Sequence, residues 1–80
     1  MFYFYVLKLN NDSYYYGSTS DLKDRLNRHQ SGRSKYTHKY LPLELIYYEA
    51  YKTKKKAITR EKQVKSSSSI RKSIINRSAG

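Results

Sequence analysis

The sequence predicts an α+β fold with the element order β-β-α-β-α-α in one domain spanning residues 1–80. Aromatic and β-branched residues dominate three short segments, which is typical of β-strands. Residues that cap helices precede three other segments, in which apolar side chains recur at helical spacing. Turn residues, a proline and a run of serines separate these segments. A chain of this length buries only a modest fraction of its surface, so we expect a compact, partly aromatic core.

The first two strands are expected to form a hairpin. Residues 2–9 are apolar on both alternating faces, which indicates a strand covered on both sides. Residues 10–13 (Asn-Asn-Asp-Ser) have turn chemistry, and residues 14–18 return as the second strand, with Gly17 expected to release the backbone. Pro42 disfavours a helix, so the aromatic segment 43–51 is predicted to be the third strand.

The first helix is predicted from about Asp21 to Gln30, with Ser20 as its cap. Two leucines and His29 recur at helical spacing on one face of it. Residues 31–39 that follow are polar and basic and contain a glycine, so we expect a surface loop there.

The second helix is predicted to be capped by Thr53 and to run through Lys65. The four serines at 66–69 end it, and they allow two interpretations. They are a flexible linker to a tail, or one of them caps a short third helix that reaches about Asn76. Ile70 and Ile74 lie at helical spacing, which favours a docked helix.

The charge balance indicates a polyanionic partner. The chain has 17 Lys and Arg against six Asp and Glu, a formal net charge of +11. From residue 52 to the end there are ten basic residues and a single acid. Such a surface associates with polyanions in a salt-dependent way, and nucleic acid fits better than an anionic membrane. The plainer alternative is that the basic residues keep a small protein in solution.

Composition also excludes several classes of protein. The absence of cysteine excludes disulfide frameworks and thiolate metal sites. No apolar run reaches the roughly 18 residues that a membrane span needs, and the N-terminus lacks the pattern of a signal peptide. A cytoplasmic protein is expected.

Glu61 is the most informative acid in the sequence. Ala57, Glu61 and Val64 fall at i, i+4 and i+7 of the second helix, so the carboxylate lies within the apolar stripe of an otherwise basic helix. A carboxylate on that stripe costs desolvation free energy unless a partner compensates it. The spacing leaves two partners open, an arginine such as Arg25 or a divalent cation.

Two tyrosines are singled out by their position in the hairpin. If the loop has three residues, with Leu9 opposite Ser13, the side chains of Tyr5 and Tyr15 lie on the same face of the sheet. A loop of four residues would place them on opposite faces. Because ten tyrosines occur in the chain, any one of them is by default a packing residue, and the sequence leaves the register open.

Arg25 lies one helical turn before His29, at the edge of the apolar stripe, and its planar guanidinium can bind phosphate in a way that lysine cannot. His29 and His38 each have a plain alternative, as a helix-end residue and as a solvated loop residue. A strand, a glycine, and a helix that brings arginine and histidine beside a tyrosine are together typical of a phosphate-handling site.

These residues, in this order, resemble the GIY-YIG nuclease superfamily, in particular its small stand-alone members and the N-terminal domain of excision-repair nucleases. Residues 3–5 (Tyr-Phe-Tyr) correspond to the first motif and residues 15–17 (Tyr-Tyr-Gly) to the second, although tyrosine and phenylalanine replace the glycine and isoleucine of the first. The signature tyrosines are ten positions apart, as the family requires. The other signature residues are matched by Arg25, His29, Glu61 and Asn76.

The resemblance implies a three-stranded antiparallel sheet flanked by helices, and hydrolysis of a DNA phosphodiester with one divalent ion, Mg²⁺ or Mn²⁺. In that interpretation Glu61 holds the metal, Arg25 clamps a phosphate oxygen, and Tyr5 and Tyr15 orient or deprotonate the attacking water. The catalytic set is Tyr5, Tyr15, Arg25, His29, Glu61 and Asn76. Basic residues expected to contact nucleic acid are Lys23, Arg28, Arg33, Lys35, Lys39, Lys62 and Lys65.

The partner implied is DNA, including branched or structured DNA, and the protein is expected to act as a monomer without a membrane or a small-molecule cofactor. The main alternative is a nucleic-acid-binding module without catalysis, for which basic charge and surface tyrosines suffice. A weaker alternative is a small basic component of a ribonucleoprotein. Glu61 separates catalysis from mere binding, because a binding module has no need of a carboxylate on the apolar stripe of a basic helix.

Overall fold

A computed structural model describes residues 1–35 and 37–79 of the chain. It confirms the α+β fold, the predicted element order and the three-stranded antiparallel sheet. A single 3₁₀ turn lies between the first helix and the third strand, at residues 38–40. The strands and helices are β1 (Phe2–Lys8), β2 (Tyr14–Thr19), α1 (Leu22–Gln30), β3 (Glu44–Tyr51), α2 (Lys54–Ser66) and α3 (Ser68–Ala79).

The strand β1 is central in the sheet, whose order is β2-β1-β3. Phe4 and Val6 lie on one face of β1 and Tyr5 and Leu7 on the other, and none of the four is more than 1% exposed. This confirms that the first strand is covered on both sides, as its continuous apolar sequence predicts. The central position follows from the same property, because an edge strand would expose part of that surface.

Helices cover the two faces of the sheet. The face that carries Phe4 and Val6 packs against Val64 of α2 and Ile74 of α3. The face that carries Tyr5 and Leu7 packs against leucines of α1 and of the segment before β3. No helix in the described part of the chain is both long and apolar enough to pass through a lipid bilayer.

The hairpin register answers the question that the sequence leaves open. Leu7 pairs with Tyr15 and Tyr5 pairs with Gly17, and the Leu9 amide donates to the Ser13 carbonyl at 2.9 Å. The loop therefore has three residues between Leu9 and Ser13. Since the side-chain period of a strand is two residues, this register places Tyr5 and Tyr15 on the same face.

Two predicted helix ends differ from the structure. The helix α1 is capped by Asp21 instead of Ser20, because the Asp21 carboxylate accepts from the Asp24 amide at 3.0 Å and an anion is favoured at a helix N-terminus. Within the serine run, the Ser67 hydroxyl accepts from the Ile70 amide at 3.2 Å, as predicted for a capping serine, and α3 runs from Ser68 past the predicted end to Ala79. The linker alternative for the serines is therefore wrong.

An ion-pair cluster that the sequence did not indicate joins α2 to the sheet. Glu49 of β3 accepts from the guanidinium of Arg60 at 3.0 and 3.2 Å, and from the hydroxyls of Tyr47 and Tyr51. The side chains of Glu49 and Arg60 are only 19% and 27% exposed. Burial alone raises the pKa of Glu49, but the hydrogen bonds from Arg60 and the tyrosines outweigh it, so the net shift of this pKa is downward.

The substitution Glu49→Gln should lower the free energy of unfolding by about 1–3 kcal/mol at pH 7, because it leaves charged and hydroxyl donors poorly satisfied. The carboxylate's contribution is complete above its unfolded pKa and is lost as the pH falls through the lowered folded pKa. Urea denaturation at pH 7 and in steps below about pH 4 should therefore show the difference from wild type shrinking.

The matched control is Glu44→Gln on the same strand, since Glu44 is exposed. It should change stability by no more than about 0.5 kcal/mol at any pH. A difference between Glu49→Gln and wild type that stays constant down to acid pH would contradict the stated role of the Glu49 charge.

Candidate active site

The site is built around close contact between Tyr5 and Gly17. A Cβ atom at Gly17 would lie 2.6 Å from the Tyr5 hydroxyl oxygen and 2.7 Å from its Cζ atom, so the phenol lies directly over the glycine. Gly17 lies inside β2 and pairs with Tyr5, so the expectation that it releases the backbone is wrong. Its function is to leave room for the ring on the neighbouring strand.

Tyr5, His29 and Thr37 form a buried chain of hydrogen bonds. The Tyr5 hydroxyl lies 3.0 Å from His29 Nε2, and His29 Nδ1 lies 2.8 Å from the Thr37 hydroxyl. Each of the three residues is at most 1% exposed. A neutral imidazole has one donor and one acceptor nitrogen, so both nitrogens of His29 are satisfied and its ring is fixed in orientation.

Sequence reasoning missed Thr37, because a threonine in a basic, polar segment carries no signal of burial. The sequence predicts a surface loop over residues 31–39, and this is wrong at Thr37, whose side chain is buried. For His38 the plainer interpretation, a solvated residue outside the site, agrees with the structure. It is exposed, and its Nδ1 donates to the Lys35 carbonyl at 2.7 Å.

Burial determines the protonation states of Tyr5 and His29. Desolvation raises the pKa of Tyr5, Tyr15 adds to the increase, and the charge of Arg25 opposes it. Desolvation lowers the pKa of His29, and the positive charge of Arg25 lowers it further. Both groups are therefore neutral at pH 7, and the Tyr5 phenol is poorly suited to accept a proton from water.

Tyr15 lies between this buried chain and the surface. Its ring is only partly buried, and its centroid is 5.1 Å from that of His29 and 6.3 Å from that of Tyr5. The charges of Arg25 and Glu61 both act on Tyr5. The structure thus brings α1, α2, β1 and β2 together here, with the side chains of Tyr5, Tyr15, Arg25, His29 and Glu61 in one region.

Glu61 has a partner that the sequence reasoning did not consider. Lys65, one helical turn away, donates to a Glu61 carboxylate oxygen at 2.7 Å. Among the described residues, no ion pair joins Glu61 to Arg25, so of the two partners that the sequence left open, the ion pair with Arg25 is not found. The Glu61 side chain is 21% exposed, although it lies on the apolar stripe of α2.

Glu61 fits the requirements of a weakly held, hydrated divalent cation. Within the described residues there is no cluster of three or more His, Cys, Asp or Glu, so an ion bound by Glu61 would have at most one further protein ligand of these types. Mg²⁺ binds carboxylate oxygen, retains several waters and takes further ligands from substrate phosphates. A partly exposed carboxylate in the same region as the arginine of α1 is consistent with that chemistry.

A groove beside this cluster, which we call the phosphate groove, has the properties of an anion site. Its volume is about 230 Å³, and its polar lining comes from Ser18, Thr19, Ser20, Arg25 and Lys54. Arg25 is partly buried, and no carboxylate in the described part of the chain forms an ion pair with it or with Lys54. Sequence reasoning missed Lys54 because three consecutive lysines begin α2.

The predicted nucleic-acid contacts are all exposed side chains, but they are not equivalent. Arg28 forms an ion pair with Asp24 at 3.1 Å and Lys65 forms one with Glu61, so part of their charge is compensated locally. Arg33 donates to the Ser31 hydroxyl at 2.9 Å. The exposed set is Lys23, Arg28, Arg33, Lys35, Lys39, Lys62 and Lys65.

Among the described residues, Asn76 has no hydrogen bond, ring contact or charge interaction with the other proposed catalytic residues. It is exposed on α3, which packs against β3 and α2. In the described part of the chain, no hydrogen bond or ion pair connects it with Tyr5, His29 or Glu61.

The sequence of this chain is similar to those of known proteins. The sequence matches the GIY-YIG catalytic domain over residues 1–73. A UPF0213 protein of Bacillus pumilus is 47% identical over 64 residues, which cover 79% of this chain and 65% of that protein. A UPF0213 protein of Lacticaseibacillus paracasei is 38% identical over 74 residues, covering 91% of this chain and 83% of that protein.

A solved structure agrees with the fold as well. The solution NMR structure of the UPF0213 protein BH0048 from Bacillus halodurans has a TM-score of 0.61 and 32% sequence identity to this chain, covering 95% of this chain and 84% of that one. The matched residues 1–73 include both tyrosine segments, the helix of Arg25 and His29, and Glu61. The chain therefore belongs to the GIY-YIG catalytic domain family, a family of nucleases.

Proposed function

We propose that this protein is a metal-dependent endonuclease that hydrolyses phosphodiester bonds of DNA. The observation that carries the proposal is the grouping of Tyr15, Arg25 and Glu61 around the buried Tyr5–His29 pair. Beside it lies a groove whose two cations form no ion pair within the described part of the chain. This grouping joins a phosphate-binding group, a hydroxyl beside a fixed imidazole, and a carboxylate suited to a divalent ion.

Arg25 and Lys54 would bind the phosphate oxygens of the substrate. A guanidinium donates two parallel hydrogen bonds to a phosphate and stabilises charge that develops on it during attack. The phosphate groove is lined by the end of β2, by Arg25 of α1 and by the start of α2, so both cations would contact a DNA strand bound in it. The overall charge of +11 draws DNA to this surface.

The two signature tyrosines would have different functions. Tyr15, which is partly exposed, orients the water that attacks phosphorus as the phosphorus–oxygen bond of the leaving group breaks. Tyr5, whose raised pKa keeps it protonated, holds His29 in place through a hydrogen bond and packs against the ring of Tyr15. Tyr5 is therefore proposed as a positioning residue.

Glu61 would hold Mg²⁺ or Mn²⁺, which when bound stabilises negative charge on the phosphate and the leaving oxygen. Lys65 competes for the same carboxylate and would release it when the cation binds. Branched or structured DNA as the substrate and action as a monomer are parts of the same proposal. The non-catalytic binding module remains the second function to test, since the basic surface alone would serve it.

The substitution Glu61→Gln should reduce the single-turnover cleavage rate by at least about 100-fold in Mn²⁺ while DNA binding is retained. Glutamine keeps the volume but loses the charge that holds the cation. Because the Glu61–Lys65 pair is an i, i+4 pair near the surface, stability should fall by only about 0.5 kcal/mol. The measurements are cleavage of end-labelled branched DNA and a thermal melt.

Lys65→Gln is the matched control, because it breaks the same ion pair but leaves the carboxylate. It should melt like Glu61→Gln and cleave at close to the wild-type rate when DNA is saturating, although its affinity for DNA falls. Equal cleavage by Glu61→Gln and wild type would show that Glu61 does not hold the metal.

Tyr15→Phe and Tyr5→Phe should separate the two tyrosines. Tyr15→Phe should slow cleavage by the folded protein by about 100-fold, because it removes the hydroxyl proposed to orient water. Tyr5→Phe leaves a buried nitrogen of His29 unsatisfied and should cost about 1–3 kcal/mol of stability, with a smaller loss of rate in the folded protein. The reverse pattern would contradict the assignment.

A further inference from the structure

An exposed aromatic pair lies on the same sheet face as Tyr5. Tyr48 pairs with Tyr5 across β3 and β1, yet Tyr48 is 55% exposed while Tyr5 is buried. The rings of Tyr3 and Tyr48 contact each other edge to face, with centroids 6.2 Å apart. Exposure of a large aromatic ring beside the candidate active site is not explained by packing of the core.

The pair forms one wall of a second groove, which we call the aromatic groove. Its volume is about 480 Å³, and more of its lining is apolar than polar. The opposite wall is α1, with Leu22, Leu26 and the exposed cation of Lys23. Asp21 also lines it, but its carboxylate accepts a hydrogen bond from the Asp24 amide as the cap of α1.

This lining suits a flat, uncharged ring better than a phosphate. The Asp21 carboxylate repels anions, whereas tyrosine rings and leucine side chains bind the faces of nucleobases. A base inside a paired duplex is stacked on both sides and cannot reach such a groove, so the occupant must be unpaired. The net charge of +11 and the cation of Lys23 at the rim favour the nucleic-acid strand to which that base is attached.

The two grooves meet at Ser20, which lines both of them. A strand whose phosphate lies between Arg25 and Lys54 therefore has the aromatic groove within reach of an adjacent base. We propose that the Tyr3–Tyr48 groove binds one unpaired nucleobase next to the phosphate bound by Arg25. This inference rests on the proposed nuclease function and narrows its substrate to DNA with an unpaired nucleotide beside the cleavage point.

The test is equilibrium binding in EDTA, where cleavage is blocked, by fluorescence anisotropy of two labelled duplexes. One is fully paired and the other has the same sequence with a single-nucleotide bulge. Wild type should bind the bulged duplex about 5- to 150-fold more tightly, the range expected for stacking of one base. Tyr48→Leu should lose most of this preference, and Tyr48→Phe, which retains the ring, should keep it.

A second signal comes from 2-aminopurine placed at the bulged position. Its fluorescence should be quenched by wild type and by Tyr48→Phe, and not by Tyr48→Leu. Loss of affinity for both duplexes by the same factor in Tyr48→Leu would overturn the proposal, because Tyr48 would then serve the fold or the general basic surface. A dimer in sedimentation that Tyr48→Leu dissociates would also overturn it, since a second copy would cover the groove.

The outcome separates this inference from the proposed function. Metal-dependent cleavage by a wild type that shows no preference for the bulge would overturn the nucleobase site and leave the nuclease assignment standing. A preference that depends on the Tyr48 ring, in a protein that cleaves nothing with Mn²⁺, would support the nucleobase site and contradict the nuclease assignment.

Discussion

The contact of the Tyr5 ring with the backbone of Gly17 is the constraint on which the site depends. The side chain of Tyr5 crosses the neighbouring strand at the one position of β2 without a Cβ atom, and its hydroxyl there meets His29. His29 is fixed in turn by Thr37, so α1 and the segment after it are tied to the sheet through polar contacts inside an otherwise apolar layer. Satisfied buried networks of this kind hold one arrangement of side chains.

The partly exposed functional groups lie around this buried hydrogen-bond network. Tyr15 rests on the Tyr5 and His29 rings, Arg25 comes from the same helix as His29, and Glu61 comes from α2 on the other side of the sheet. The position of α2 is set by the ion pair of Arg60, the residue before Glu61, with Glu49 of the sheet. This small domain thereby positions its reactive groups with two polar interactions in addition to its limited apolar core. They are the hydrogen bonds of His29 and the Glu49–Arg60 ion pair.

Much of the fold could be predicted because periodicity is a local property. The apolar pattern of β1, the cap at Thr53 and the spacing of Ile70 and Ile74 each indicate the right element. The parity of the hairpin loop could not be predicted, since three and four residues are both compatible with the Asn-Asn-Asp-Ser turn. That single uncertainty decides whether Tyr5 and Tyr15 share a face.

The residues of the site were predictable through the family resemblance, but their surroundings were not. Nothing in the sequence separates Lys65 from the other lysines as the partner of Glu61, or marks Thr37 as buried. Glu49 was overlooked because a strand acid that alternates with tyrosines resembles a solvated position. Each of these contacts joins residues through the folded geometry, which propensity and spacing do not report.

The proposed function requires that the groups around Tyr5 and His29 hydrolyse a phosphodiester with a bound divalent ion. The most direct measurement is single-turnover incubation of the wild-type chain with end-labelled branched DNA, across a titration of Mn²⁺ and with EDTA as reference. A metal-dependent nuclease should give strand scission that rises with Mn²⁺ to saturation and is absent in EDTA. DNA binding that persists at every Mn²⁺ concentration without scission would contradict it and identify a binding module.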